Sequence, residues 1–134
     1  RRHCNCHCYK IMKNLTVLII EDDEWAAEQY GRVIQKSGYK VKIAHHAYSA
    51  IEMLDKYKID VIILDVLLAG STAFALLNEL QSYEDLGKIQ VILCTNIASD
   101  LSKSKLGEYG VRRILDKTTM EPSDLVAAVR GVLL

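Results

Sequence analysis

No run of apolar residues in this chain approaches the roughly 20 that a membrane helix requires, so membrane insertion is not expected. Charge of either sign is not in excess: 17 basic residues face 17 acidic ones. That balance offers no global attraction to nucleic acid or an anionic bilayer. Proline occurs once, at Pro122, which excludes a proline-rich linker. The basic pair Arg1-Arg2 has no apolar stretch behind it, so no secretory signal is visible and a cytoplasmic location follows by default. Cysteine is scarce beyond residue 8. Cys4, Cys6 and Cys8 crowd the first eight positions and Cys94 stands alone in an apolar run, which is no disulfide framework.

What remains is one domain's worth of chain. The 134 residues are 50% apolar, enough to bury a sizeable core. Short apolar runs recur at Leu15–Ile20, Lys40–Ala44, Asp60–Leu64, Ile89–Leu93 and Val111–Leu115. Such runs suit strands buried on both faces, as in a parallel sheet. Helical stripes lie between them. The first comprises Ala26, Ala27, Tyr30, Val33 and Ile34, and Gly38 stops it. Ala47, Ala50, Ile51 and Leu54 form the second, and Phe74, Leu77 and Leu80 the third. A weaker stripe, Leu101, Leu106 and Tyr109, spans 99–109. The last starts near Pro122 and runs through Leu125, Val126, Val129, Val132 and Leu133. Five strands alternating with five helices predict a three-layer α/β sandwich, with its site at the carboxyl ends of the strands.

Chemistry gathers at those ends. The first run ends in Glu21-Asp22-Asp23-Glu24, the third in Asp65, the fourth in Cys94-Thr95 and the fifth in Asp116-Lys117. Carboxylates packed together repel unless a cation joins them. A hard, oxygen-seeking ion such as Mg²⁺ fits that need. An ammonium and a hydroxyl can bind phosphoryl oxygens, and an Asp carboxylate can act as nucleophile.

The strings VLIIEDDE, DVIILDVLL, ILCT and RRILDK resemble the motif blocks of response-regulator receiver domains. Their key residues are spaced alike: 43 residues from Asp22 to Asp65, 30 more to Thr95 and 22 to Lys117. The resemblance covers about residues 14–134. It implies a flavodoxin-like, doubly wound parallel sheet of five strands in the order 2-1-3-4-5 with five helices. It also implies a phosphoacceptor at Asp65, a direct Mg²⁺ ligand at Asp22, and Glu21 acting mostly through a bound water. The backbone carbonyl of Leu67 would complete the protein's metal ligands. Thr95 resembles the switch hydroxyl and Lys117 the phosphoryl-binding lysine. The implied partner is a histidine kinase or histidine phosphotransfer protein, with a downstream protein contacted through the fourth helix, fifth strand and fifth helix. No enzyme activity is expected beyond self-phosphorylation from phosphohistidine and slow autodephosphorylation.

Several positions depart from the family pattern. Ala69 stands where a proline is usual, and Thr72 and Ala73 where an acid and a glycine are. Thr118 follows Lys117 in place of proline. A cis bond before a non-proline residue costs about 2.5–4 kcal/mol, so a trans peptide or visible strain is expected, with possible displacement of the Lys117 ammonium. Ile114 replaces the aromatic that turns inward with the switch hydroxyl, and Asn96 replaces a small residue. Leu67 and Ile97 are apolar where side chains tune autodephosphorylation, which predicts a long-lived phosphoryl group. These departures keep a second reading open, a pseudo-receiver that binds proteins independently of phosphate. A phosphatase is disfavoured, because Val66 and Leu67 occupy the places where such enzymes carry a second acid. Trp25 and Tyr109 are read as packing residues, and His45-His46 as a solvated loop. Residues 1–12 are read as a leader without a role, despite the metal-ligand types His3, Cys4, Cys6, His7 and Cys8. The domain is placed at 13–134, after a translation-start-like Met12.

Overall fold

The computed structural model describes residues 15–65, 75–79, 89–95 and 110–133. Five strands form one parallel sheet: β1 (Thr16–Ile20), β2 (Lys40–Ala44), β3 (Val61–Asp65), β4 (Gln90–Thr95) and β5 (Val111–Asp116). Their order across the sheet is β2-β1-β3-β4-β5. The helices are α1 (Glu24–Lys36), α2 (Ala47–Lys56), α3 (residues 75–79) and α4 (Pro122–Leu133). The weak stripe at 99–109 lies outside the described residues.

Each central strand feeds two cores, because successive side chains point to opposite faces. Val17 and Ile19 of β1 join Val61 and Ile63 of β3 and Ile92 and Cys94 of β4 on the face covered by α1 and α4. Leu18, Ile20, Ile62, Leu64, Val91 and Leu93 fill the other face, with Ala50 and Leu54 of α2 and Leu76 and Leu77 of α3. Every residue of β1 and β3 is buried, which explains why both runs read as continuously apolar. The edges behave differently. Lys40 of β2 and Arg112 and Arg113 of β5 are exposed, so the expectation of strands buried on both faces holds only for the central three. Charged edge side chains also discourage pairing with another sheet.

Local chemistry sets the helix ends. The Asp23 carboxylate accepts hydrogen bonds from the N–H groups of Trp25 and Ala26 at 3.0 and 3.2 Å, capping α1. Gly31 brings α1 close to the sheet, since a Cβ there would stand 3.4 Å from Ile43. Gly38, at φ 99°, ends the α1 segment in a conformation other residues resist. The Asp124 carboxylate accepts from the Glu121 N–H at 2.8 Å, which closes the start of α4 behind Pro122. The turns after β1 and β5 therefore enter their helices at fixed points along one rim.

Candidate functional site

Each functional side chain sits where a strand ends. Glu21 and Asp22 follow β1, Asp65 ends β3, Thr95 ends β4, and Lys117 follows β5. Parallel pairing puts these ends on one rim, with Asp65 opposite Cys94 and Thr95 opposite Asp116. One oxygen each of Glu21, Asp22 and Asp65 lies within 4.8 Å of the others. Glu21 and Asp65 are buried and Asp22 is exposed, so the acidic group opens toward solvent at Asp22. An all-oxygen set of this size suits a hard divalent ion such as Mg²⁺ rather than a thiolate-seeking metal.

Lys117 closes the group from the far side. Its Nζ donates to Asp65 Oδ2 at 2.8 Å and to Glu21 Oε1 at 2.9 Å. Of the two outcomes expected at this position, a trans peptide or strain, the trans peptide is found, and the ammonium still reaches both acids. No cis peptide bond is found among the described residues, and Thr118 follows Lys117 through a trans link. The Lys117 N–H donates to the Thr95 carbonyl at 2.9 Å, continuing the β4–β5 ladder one step past the strand. Thr95 itself is fully buried.

The electrostatics follow from burial. Removal from water pushes the Glu21 carboxyl up to about 7, Asp65 adds to the rise, and Lys117 opposes it. For Lys117, burial works against the charged form, but its bonds to Asp65 and Glu21 outweigh that and hold its pKa above the ordinary lysine range. Burial likewise pushes the Cys94 thiol up to about 12, so it stays protonated and serves as a small core residue.

Two contributors escaped the sequence reading. His45, taken as solvated loop, is half-buried and its Nδ1 lies 3.0 Å from the Glu21 carbonyl oxygen. A carbonyl can only accept, so Nδ1 carries the proton there. With the Glu21 N–H donating to the Ala44 carbonyl at 3.0 Å, both backbone groups of Glu21 are tied to the end of β2 and its following turn. Adjacent His46 caps α2 by accepting from the Ser49 N–H at 3.3 Å. Tyr30, read as core stripe, is half-buried beside a cavity of about 200 Å³ that Lys117, Met120 and Leu125 also line. Burial raises its phenol above the usual value, and Lys117 pulls the other way.

Trp25 corrects an expectation. It is 70% exposed and is not a packing residue. Placed in the first turn of α1, its side chain points outward, a consequence of helical phase that apolar character alone does not reveal. Ile114, at the position expected to be aromatic, is partly buried against the α2–α3 core. The Leu67 carbonyl, Ala69, Thr72, Ala73, Asn96, Ile97, Tyr109 and the Cys/His leader lie outside the described residues.

Comparison with known proteins agrees with this architecture. The response regulator receiver domain family matches residues 17–130. The transcriptional regulatory protein YvrH of Bacillus subtilis is 28% identical over 123 residues, which cover 91% of this chain and 50% of that protein. The chain thus spans about half the length of the curated relatives it matches. Among solved structures, a putative response regulator from Chloroflexus aurantiacus is 29% identical with a TM-score of 0.78, covering 90% of this chain and 98% of that one. The chemotaxis response regulator CheY4 of Vibrio cholerae shares the fold at 23% identity and TM-score 0.78, covering 89% and 98%. No helix among the described residues is long and apolar enough to cross a membrane. With its parallel 2-1-3-4-5 sheet, its acidic rim and a family match over most of its length, the chain belongs to the response regulator receiver domains of two-component signal transduction.

Proposed function

We propose that this receiver domain is a phosphoacceptor, taking a phosphoryl group on Asp65 from a phosphohistidine of a histidine kinase or histidine phosphotransfer protein. The observation that carries the reading is the Lys117 ammonium seated on Asp65 at 2.8 Å, inside an acidic group that can hold a divalent ion. Glu21, Asp22 and Asp65 would hold Mg²⁺, with the Leu67 carbonyl as the expected further ligand. When bound, the ion supplies charge neutralisation for the incoming phosphoryl oxygens.

One carboxylate oxygen of Asp65 attacks phosphorus as the P–N bond to the donor imidazole breaks. The bonding pair leaves with that imidazole, which becomes neutral or takes a proton from solvent. Lys117 is already charged and already within reach, so it can follow the charge from carboxylate to phosphoryl oxygen without being recruited from solvent. Thr95, buried at the neighbouring strand end, is the hydroxyl proposed to donate to another phosphoryl oxygen. The product is an acyl phosphate, and no turnover on other substrates is proposed.

The added charge, about −1.5 to −2 for phosphorylated side chains in general, then biases the face to which β5 and α4 belong toward a downstream partner. Acetyl phosphate with Mg²⁺ tests the proposal by intact mass. The wild type gains one phosphoryl group, and Asp65→Ala does not. A wild type that gains nothing, with beryllofluoride producing no spectral change either, would establish the pseudo-receiver reading instead.

A further inference from the structure

We infer that Asp116 and Thr118 are positioning residues, forming a hydrogen-bonded clamp that aims the Lys117 ammonium at Asp65. The inference rests on the phosphoacceptor reading of Asp65 for its consequence, but its geometry stands independently.

Lys117 has far to reach. It follows β5, while Asp65 ends β3 two strands away. Neighbouring strands lie about 4.8 Å apart, so the ammonium must cross roughly 9–10 Å of sheet. Glu21 lies one strand further still. A four-carbon stem has little slack over that span, and its many rotamers favour other directions. The backbone of residue 117 must therefore lean over the rim and stay there.

Three sets of bonds hold it in that place. On its N-terminal side, the Lys117 N–H is anchored to the Thr95 carbonyl at 2.9 Å. On its C-terminal side, Asp116 Oδ1 accepts both the Thr118 N–H at 2.9 Å and the Thr118 hydroxyl at 2.6 Å. The Asp116 carbonyl also accepts the N–H groups of Thr119 at 3.2 Å and Met120 at 2.9 Å. Lys117 is thus the residue enclosed by every ring that Asp116 closes. Its φ and ψ are fixed by a side chain that never touches the acids of the site. Exposed Thr118 gains its role from the same contacts: its hydroxyl and N–H hold the Asp116 carboxyl below the usual carboxylate range.

A turn that merely links β5 to α4 would show the same bonds. The distinguishing readout is the order of the ammonium itself. In ¹⁵N-labelled protein, the Lys117 NH₃⁺ order parameter is compared in wild type, Asp116→Ala, Thr118→Ala and Asp116→Asn, with beryllofluoride affinity measured in Mg²⁺ on the same samples. Asp116→Ala is expected to lower the order parameter and to weaken beryllofluoride binding by about tenfold, the scale of one charge-assisted hydrogen bond. Thr118→Ala keeps the N–H and loses only the hydroxyl, so it falls between. Asp116→Asn retains the oxygen acceptor and restores both readouts, and all four proteins remain folded at the temperature of measurement. An ammonium equally ordered in Asp116→Ala overturns the inference, as does an Asn variant that behaves like the Ala variant. A wild type that binds no beryllofluoride would remove the phosphoacceptor reading, while the order parameters still decide whether the clamp exists.

Discussion

Lys117→Met removes the ammonium from two buried carboxylates while keeping an apolar stem of similar length. The wild-type bonds, 2.8 Å to Asp65 and 2.9 Å to Glu21, join side chains that are 5% and 2% exposed. Stripping one partner from a buried ion pair costs about 3–5 kcal/mol, because the remaining charge stays desolvated. That is a large share of the roughly 5–15 kcal/mol by which domains are stable. The cost should depend on pH. Glu21 already titrates near 7 in the folded protein against 4.5 in the unfolded chain. Its folded form binds more protons in that window, so the metal-free wild type should lose stability as pH rises from 4.5 to 7. Without Lys117 the Glu21 pKa climbs further, and a proton replaces the missing ammonium in acid. Urea unfolding in EDTA should therefore show Lys117→Met far weaker than wild type at pH 8 and much closer to it at pH 5. Millimolar Mg²⁺ should recover part of the pH 8 loss, because any ligand that binds only the folded state stabilises it. A deficit equal at both pH values and indifferent to Mg²⁺ would refute the electrostatic account and leave only lost packing.

Tyr39→Phe should raise stability by about 1 kcal/mol in thermal or urea unfolding, because the buried Tyr39 hydroxyl has no hydrogen-bond partner among the described residues. Asp23→Ala should cost about 1 kcal/mol by the same measurement through loss of the α1 cap, and Asp23→Ser should recover most of it. His45→Ala should weaken Mg²⁺ binding several-fold in a fluorescence or calorimetric titration, with His45→Asn partly restoring it by donating to the Glu21 carbonyl. Trp25→Ala should shift stability by no more than about 0.5 kcal/mol, since the ring is exposed; a larger loss would mean that it packs after all.

Period and spacing determined much of this protein. The apolar runs at residues 15–20, 60–64 and 89–93 could only be buried by a sheet covered on both faces, and their ends fell within two residues of those of β1, β3 and β4. The acids, hydroxyl and lysine were legible because each follows such a run, and parallel strands bring their carboxyl ends to one rim whatever the loops contain. Tertiary structure decided what depends on direction. Sequence order could not tell that the His45 ring turns back onto the Glu21 carbonyl, or that Trp25 points to solvent. Nor could it tell that a trans link through Thr118 leaves the Lys117 ammonium in place, because that rests on the Asp116 carboxylate closing a turn around its neighbour. Burial pattern is a one-dimensional property and survives in the sequence. Hydrogen-bond direction and charge coupling exist only between atoms that folding has brought together, and they set the pKa of Glu21 and the aim of Lys117.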